Sequence, residues 1–242
     1  MKNEVNLEKY IKDTFSGLSY GKYLLLNSFY KSIVDFKLPK KINIAVVGGG
    51  SNQAEIVLLN QMGFEAEVTV FGIKDEDVFF DLNKVNSISN NKFFDLVICT
   101  QTLEHIWNHD NFFNNMQLLS KPKSILYLNC PKSNKVHMAP IFYSSGFTSS
   151  YLEKNLQNKN FKILKSGELG GEVLYKSIHM TQSWYNKENV ENRYRFNENK
   201  LFYKIKHLIK LSNLGQFLVL KRNPNRQSEE FMTQSYVFAT IA

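Results

Sequence analysis

Two short polar turns, each directly after an apolar run, hold the residues best suited to chemistry. The run KINIAVV ends in Gly48, Gly49 and Gly50, and glycines let a ligand approach the backbone closely. The segment SNQAEIVLLNQMG that follows has a helical pattern, and the free N–H groups at the start of a helix favour an anionic group. The turn therefore predicts an anion-binding site; the alternative is a tight strand–helix turn without a ligand.

The second polar turn follows the apolar run FDLVICT and carries Thr100, Gln101, Glu104 and His105. In an open parallel sheet, ligands bind at the carboxyl ends of the strands, close to the point where the strand order reverses. These four side chains are therefore expected beside the glycine turn. Asp95 begins the same run, far from that edge, so we expect it to have a structural role.

Alternating strands and helices are predicted to position both turns. Strand patterns cover residues 42–47, 67–73, 94–100, 124–131, 161–167 and 235–242, and helical patterns cover 51–63, 103–119 and 148–158. Ser51 or Asn52 is expected to cap the first of these helices, Gly63 to end it, and Thr148 to cap the last. Two further helices are predicted within residues 6–36. This order predicts a parallel sheet built from right-handed βαβ units.

The composition is that of a globular protein. Of 242 residues, 43% are hydrophobic and 21% are charged, which excludes wholesale disorder. No apolar stretch reaches the roughly 18 residues that a membrane-spanning helix needs, and the charged start MKNEVNLEKYIKD is unlike a secretory signal. Cys99 and Cys130 lie in apolar runs and are expected to be buried thiols, so we expect a cytoplasmic location.

The positive charge is concentrated near the C-terminus. The formal net charge is +8, and residues 151–242 alone carry 15 basic against 8 acidic side chains. Within 190–226 the count is 9 basic against 2 acidic. A basic patch favours an anionic partner, such as nucleic acid, a phosphorylated or nucleotide-linked substrate, or an acidic membrane surface. The alternative is a lysine-rich composition without a functional meaning.

Taken in order, IAVVGGGSN, FDLVICTQTLEHI and LLSKPKSILYLNCP resemble the class I S-adenosylmethionine-dependent methyltransferases. The resemblance is closest to the bacterial group that methylates small metabolites and saccharides, and it covers residues 40–167 and the last strand. It implies a three-layer α/β, Rossmann-like sheet of about seven strands with the last strand antiparallel. It also implies an N-terminal helical cap at 1–39, a cofactor-binding core at 40–167 and 231–242, and an insert at 168–230 that forms an acceptor lid or an oligomer contact.

The resemblance implies S-adenosylmethionine as the cofactor, with S-adenosylhomocysteine as the product. Many members carry an acidic residue inside the first strand, where Val46 stands here, and a small residue where Asn52 stands. The acidic side chain that usually receives the ribose hydroxyls is replaced by Lys74, whose ammonium can only donate. Either Asp75 supplies that contact or the cofactor is held differently. The cofactor-binding residues that the resemblance implies are Gly48, Gly49, Gly50, Lys74, Asp75, Asp81, Leu82, Thr100, Gln101 and Glu104.

Within that set, the segment VFFDLN matches the place of the adenine contact. Asp81 is expected to meet the adenine and Leu82 to pack on its ring. The alternative for Asp81 is a helix or turn cap. No metal is predicted, because the carboxylates in residues 75–77 are adjacent in sequence and cannot easily converge on one ion.

Methyl transfer to a hydroxyl requires a group that takes the hydroxyl proton, and histidine suits that task near neutral pH. His105, after the fourth-strand motif, and His137, in the loop after LYLNCP, are the candidate catalytic residues. The alternative for His105 is a capping or packing role. His109 and His207 are expected to face solvent. The candidate substrate-binding residues are Tyr143, His179, Trp184, Arg193 and Arg195, of which the last four lie in the insert, where a dimer contact or a packed lid is the alternative.

These expectations combine into one function. The chain is predicted to be a methyltransferase that O-methylates a small anionic or nucleotide-linked saccharide-type precursor of a surface polysaccharide, by in-line methyl transfer. The partner is a small-molecule acceptor, nucleic acid is not expected, and a homodimer is left open. The alternatives are an RNA methyltransferase that uses the basic segment 190–226, and a non-catalytic scaffold with a degenerate cofactor site.

Overall fold

A computed structural model describes residues 20–73, 77–88, 94–134, 138–171, 175 and 232–242. The helices are α1 (Tyr20–Asp35), α2 (Ala54–Gln61), α3 (His109–Leu119) and α4 (Ser149–Gln157), with a 3-10 turn at Leu103–His105. The strands are β1 (Lys41–Val47), β2 (Glu65–Gly72), β3 (Val78–Phe79), β4 (Leu96–Thr100), β5 (Ile125–Pro131), β6 (Phe161–Gly170) and β7 (Met232–Ile241). Of the two predicted N-terminal helices, α1 is described; the other falls outside the described residues, as does most of the insert.

The strands form one seven-stranded sheet in the order β3-β2-β1-β4-β5-β7-β6. The first five strands run parallel, whereas β7 is antiparallel to both β5 and β6. This is the predicted sheet, with an antiparallel last strand. The strand order reverses between β1 and β4, so the carboxyl ends of these two strands flank the crevice where such sheets bind ligands. Because β7 is antiparallel, its first residues lie at this same edge.

Helices cover both faces of the sheet, because its central strands β1, β4, β5 and β7 bury side chains on both sides. Val46 belongs to the cluster that packs under α1 and α2, together with Phe29 and Phe238. Its neighbour Val47 points to the opposite face and belongs to the cluster under α3 and α4, together with Phe113. Alternation of successive side chains between the two faces is the strand period of two. Two apolar layers thus hold the polar edge in place.

The sequence patterns placed most elements correctly and misplaced two helix starts. Thr148 caps α4 as predicted, and its side chain accepts a hydrogen bond from the amide of Tyr151 at 3.2 Å. The single helix predicted over 103–119 is wrong, because the 3-10 turn ends at residue 105 and α3 begins only at His109. The side chain of Asn108 caps α3 by accepting from the amide of Asn111. This cap starts a separate helix after the 3-10 turn.

The predicted cap of α2 is also wrong. The N-cap is Gln53 rather than Ser51 or Asn52, and its side chain makes no capping hydrogen bond. The backbone amide of Gln53 donates to the backbone carbonyl of Gly50 at 3.2 Å, and this hydrogen bond closes a turn before the helix begins. The helix ends as predicted, with Gly63 at a φ of 87° directly after the last turn.

Asp95 has the structural role expected of it. Its Oδ2 accepts a hydrogen bond from the amide of Asn43 at 2.8 Å, and its own amide donates to the Asn43 carbonyl at 2.9 Å. Its carbonyl accepts from the amide of Ile125. Asp95 therefore joins the starts of three strands at the edge opposite the polar turns.

The Asp95→Ala variant is expected to lose about 1 kcal/mol of unfolding free energy, because it removes one partly buried hydrogen bond. Asp95→Asn retains an acceptor oxygen and should lose less. Urea unfolding monitored by circular dichroism measures both. A destabilisation that is equal in the two variants would contradict the assignment of the effect to this acceptor atom.

Across the part of the chain that the structure describes, we find no helix with the length and apolarity needed to cross a membrane.

Candidate active site

The glycine turn, residues 48–50, continues β1. It packs directly on the turn that follows β4, residues 101–105, which is called the β4 turn below. Gly48 has a φ of 70°, a backbone conformation that favours glycine. Its amide donates to the carbonyl of Phe71 at 2.9 Å, so pairing with β2 extends one residue past the strand. A Cβ built on Gly48 would lie 2.5 Å from Cγ2 of Thr102. The two polar turns predicted to be neighbours are therefore in contact, and only glycine fits at the contact.

Beyond Gly48 the turn is more open. A Cβ on Gly49 would meet Oε1 of Gln53 at 2.5 Å, whereas a Cβ on Gly50 would lie 3.1 Å from Oδ1 of Asn52. Gly50 is exposed. The close neighbours of both positions are ends of polar side chains, so the turn presents backbone to the crevice without a bulky cover.

The β4 turn buries a carboxyl group at the centre of the site. Glu104 is 1% exposed, and burial raises its pKa to about 7. Its backbone carbonyl accepts hydrogen bonds from the amides of Tyr143 and Ser144, at 2.9 and 3.3 Å. Thr102, also buried, donates its hydroxyl to the carbonyl of Thr100 at 3.0 Å. The turn is thus held by its own hydrogen bonds and by the loop that follows β5.

His105 lies on the outer side of this turn with its tautomer set by the backbone. Its Nδ1 lies 2.7 Å from the carbonyl oxygen of Ile141. A carbonyl only accepts, so Nδ1 carries the proton and Nε2 of the neutral ring carries the lone pair. Nε2 is 4.0 Å from Oε1 of Glu104. Tyr143, 52% exposed, follows Ile141 in the same loop, so the structure brings two of the predicted residues, His105 and Tyr143, to one place.

Four neighbouring strands each contribute a buried polar atom without a partner at this edge. Among the described residues, these atoms are Nε2 of Gln53 after β1, Oε2 of Glu104 after β4, Nδ2 of Asn129 near the end of β5 and Oγ of Ser235 near the start of β7. A buried polar group left unsatisfied costs about 1–3 kcal/mol. Such groups cluster where a ligand or water supplies the missing partner. Sequence reasoning missed Gln53 and Asn129, although an amide within the apolar run SILYLNCP was a visible signal for Asn129.

Gln101 lies on the far side of the β4 turn from the glycines. Its side-chain nitrogen donates to Oδ1 of Asn129 at 2.8 Å and to Oε1 of Gln234 at 3.1 Å. These partners belong to β5 and β7, which lie on the side of β4 away from β1. The resemblance implies that Gln101 contacts the cofactor. Its observed contacts join it instead to β5 and β7, on the side of β4 away from the glycine turn.

The loop after β3 is held by a network of asparagine side chains. Asp81 accepts from the amide of Asn83 at 3.0 Å through Oδ1, and its Oδ2 pairs with Lys84 at 3.4 Å. These contacts agree with a turn-capping role, which was the alternative for Asp81. Leu82 is buried in the core at 5% exposure. Contact of either residue with an adenine ring stays a prediction.

Several predicted residues fall outside the described residues. They are Lys74, Asp75, His137, His179, Trp184, Arg193 and Arg195; His207, expected to face solvent, also lies outside the described residues. The described residues contain no group of acidic, histidine or cysteine side chains that could hold a metal ion. Cys99 and Cys130 are buried free thiols, as expected.

The prediction that His109 faces solvent is wrong. The ring is half-buried and packs against Phe147 with centroids 5.0 Å apart. Nδ1 lies 2.8 Å from the hydroxyl of Tyr151, and Nε2 lies 3.0 Å from the Ile106 carbonyl. His109 therefore joins the start of α3 to α4, a contact that the helical pattern of α3 alone did not indicate.

Comparison with known proteins identifies the fold. The sequence matches no family model, and no curated protein matches it. Among solved structures, a putative sarcosine dimethylglycine methyltransferase from Galdieria sulphuraria has a TM-score of 0.52 at 8% identity, over 89% of this chain and 84% of that chain. The cyclase SpnF has a TM-score of 0.52 at 12% identity, over 89% and 80%. A coclaurine N-methyltransferase bound to N-methylheliamine and SAH (S-adenosylhomocysteine) has a TM-score of 0.50 at 12% identity, over 89% and 71%.

These likenesses show the fold. The sheet is the Rossmann-like sheet of the class I S-adenosylmethionine-dependent methyltransferases. The chain covers 52% of a phosphoethanolamine N-methyltransferase 2 from Haemonchus contortus, so it spans about half the length of that protein. Because SpnF is named a cyclase, the fold alone does not decide the reaction, and the activity must be argued from the site.

Proposed function

We propose that this protein binds S-adenosylmethionine and transfers its methyl group to a small acceptor. The observation that carries the proposal is the contact between the glycine turn and the β4 turn, where Gln53 and Glu104 hold unpartnered buried atoms. This place is the crevice where the strand order reverses. The coclaurine N-methyltransferase of this fold binds SAH, which supports the same class of cofactor here.

The glycine turn and the start of α2 are proposed to hold the carboxylate of the cofactor. The glycines allow close approach of the backbone, and the helix start carries no side-chain cap that would compete for its N–H groups. The unpartnered Oε2 of Glu104 is an acceptor suited to a polar N–H or O–H group of the cofactor. The other proposed cofactor contacts are Lys74, Asp75, Asp81, Leu82 and Thr100.

His105 is proposed as the base. S-adenosylmethionine supplies an activated methyl group, so the protein must chiefly orient the acceptor and take its proton. The Nδ1–H bond to Ile141 leaves the lone pair on Nε2, the atom that would receive the proton. A carboxylate at Glu104, 4.0 Å away, stabilises the imidazolium that forms. His137 is the alternative base.

The acceptor is proposed to be a hydroxyl of a small anionic or nucleotide-linked saccharide-type precursor of a surface polysaccharide. The excess of basic residues at 190–226 supports an anionic group, and exposed Tyr143 offers an aromatic face beside His105. The remaining proposed acceptor contacts are His179, Trp184, Arg193 and Arg195. A cytoplasmic location is part of the same proposal.

Calorimetric titration with SAH tests the proposal. The wild-type protein is expected to bind SAH with a micromolar dissociation constant. Gly50→Val should weaken binding by about tenfold or more (about 1.4 kcal/mol), because the new side chain stands between the cofactor and the backbone of the turn. Gly50 is better suited to this test than Gly48, since it is exposed and its φ is not in the left-handed region.

Asn60→Val is the control, because it places the same side chain at an exposed position of α2 away from the turn. It should bind SAH like the wild type. Absence of binding up to millimolar SAH in the wild-type protein would sink the proposal and favour a non-catalytic scaffold. Equal binding by wild type and Gly50→Val would show that the glycine turn is not the cofactor site.

A further inference from the structure

Gln101 is held in an uncommon backbone conformation by three strands. Its φ is 51°, in the left-handed region that a residue with a side chain rarely adopts. Its amide donates to the carbonyl of Asn129 at 3.0 Å, which extends the pairing of β4 with β5. Residues held in this way cost about 1–3 kcal/mol each and concentrate at functional sites. Lys123, Met138 and Asn160 share this conformation, so what sets Gln101 apart is its place at the ligand-binding edge and the way its side chain is held.

The side chain of Gln101 is oriented by its two amide hydrogens. Both are used, one by Oδ1 of Asn129 and one by Oε1 of Gln234. The carbonyl oxygen, Oε1, receives no hydrogen bond within the described part of the chain, and the residue is exposed. The arrangement presents a fixed acceptor oxygen at the ligand-binding edge.

A second observation indicates that this carboxamide cluster is incomplete. Asn129 is fully buried; its Nδ2 makes no full hydrogen bond among the described residues and lies beside the hydroxyl of Tyr127, which is also without a hydrogen-bond partner. A hydroxyl group can donate and accept at once. It can therefore donate to Oε1 of Gln101, an oxygen that only accepts, and its own oxygen can still accept a hydrogen bond.

The charges around the cluster favour an uncharged group. Its members are carboxamides, which carry no charge, and the buried thiols of Cys99 and Cys130 next to them have raised pKa values because of burial. Lys132, which follows β5 at this edge, is ion-paired with Glu168. A negatively charged group would meet the acceptor oxygen of Gln101 here, and the described residues of this cluster offer it no positive charge.

We propose that Gln101, oriented by Asn129 and Gln234, is the acceptor-positioning residue of this site and binds a hydroxyl of an uncharged polyol portion of the acceptor. This inference rests on the proposed function and deepens it. It places the sugar-like portion at the ends of β4, β5 and β7, apart from the glycine turn. Any anionic portion of the acceptor must then be held elsewhere.

Gln101→Met tests the proposal, because methionine has similar length and bulk but neither amide hydrogens nor the carbonyl oxygen. Gln61→Met is the matched control, since it makes the same change at an exposed position at the far end of α2. The probes are methyl α-D-glucopyranoside, myo-inositol and inorganic phosphate. Each is titrated by nuclear magnetic resonance, with and without saturating SAH, and SAH itself is titrated by calorimetry.

The wild-type protein and Gln61→Met are expected to bind at least one neutral polyol with a millimolar dissociation constant. Gln101→Met should bind it about fivefold more weakly, the loss expected for one neutral hydrogen bond. Its affinity for SAH should remain within about twofold of the wild type. Phosphate alone should not shift the side-chain amide signals of this cluster.

Three results would overturn the inference: equal polyol binding by Gln101→Met, binding of phosphate but of neither polyol, or a tenfold loss of SAH affinity in Gln101→Met. The last would make Gln101 a cofactor contact. If the wild-type protein fails to bind SAH, the proposed function fails. The polyol titrations without SAH still decide whether Gln101 binds a hydroxyl.

Discussion

Replacing Gly48 by Ala is expected to lower the free energy of unfolding by about 3 kcal/mol. A residue with a Cβ at a φ of 70° costs about 1–2 kcal/mol. The new Cβ would also lie 2.5 Å from Cγ2 of Thr102, and forced overpacking costs about 1–3 kcal/mol. Urea unfolding of wild type and variant gives the difference directly.

Thr102→Ala in the Gly48→Ala background separates the two causes. It removes Cγ2 and Oγ1, which would be the closest atoms, and leaves the Thr102 Cβ at 3.2 Å. The double variant should therefore recover the overpacking cost but retain the cost of the backbone conformation. Gly49→Ala is the neighbouring control, since its new Cβ would overlap only the end of the flexible Gln53 side chain and would lie at an ordinary contact distance of 3.4 Å from Cγ1 of Val46, and it should be less destabilising. An equal loss in Gly48→Ala and Gly49→Ala would contradict the close packing of the two turns.

Replacing Glu104 by Gln is expected to stabilise the protein at alkaline pH by up to about 3 kcal/mol. Burial raises the pKa of Glu104 to about 7 from an ordinary value of 4.5. Between these values the folded protein keeps a proton that the unfolded chain has released, so rising pH favours unfolding. The penalty is complete above pH 7 and absent below about pH 4.5. The glutamine, which cannot ionise, avoids it.

The measurement is the unfolding free energy of both proteins at pH 4, 5, 6, 7 and 8, values that bracket the two pKa values of this carboxyl group. The advantage of Glu104→Gln should grow with pH and level off near pH 8. Glu55, also buried with a raised pKa, has the same effect in both proteins and drops out of the difference. Glu65→Gln, at an exposed position, is the control for the loss of one negative charge together with its surface ion pairs to Lys40 and Lys41. A constant difference between wild type and Glu104→Gln across this range would show that the carboxyl group is not buried as described.

Much of the architecture could be predicted from local patterns. β-Branched and apolar runs ending in glycine, proline or polar residues predicted the strands around the site. Hydrophobic repeats near 3.6 predicted the helices between them. Because all parallel strands end at one edge, the glycine turn and the β4 turn could be placed side by side before any contact was known. Asp95, at the opposite edge, and Thr148, at a helix start, follow from the same local rules.

The side-chain geometry of the site was decided only in the tertiary structure. The helical pattern over 103–119 did not predict the break that buries Glu104, because the loop after β5 supplies the amides that bond to its carbonyl. The half-burial of His109 likewise depends on α4, about 40 residues later in the chain. Sequence patterns indicate which face of a segment is buried, but they do not indicate which distant segment packs against that face.

Gln101 illustrates the division most clearly. Its position after a strand predicts a place at the ligand edge, and the sequence alone determines that much. The direction of its side chain depends on β7, which lies between β5 and β6 in the sheet. This strand brings Oε1 of Gln234 within 3.1 Å of the side-chain nitrogen of Gln101, 133 positions earlier in the chain. A hydrogen bond needs both partners in place, and strand order, rather than local propensity, brings partners this distant together.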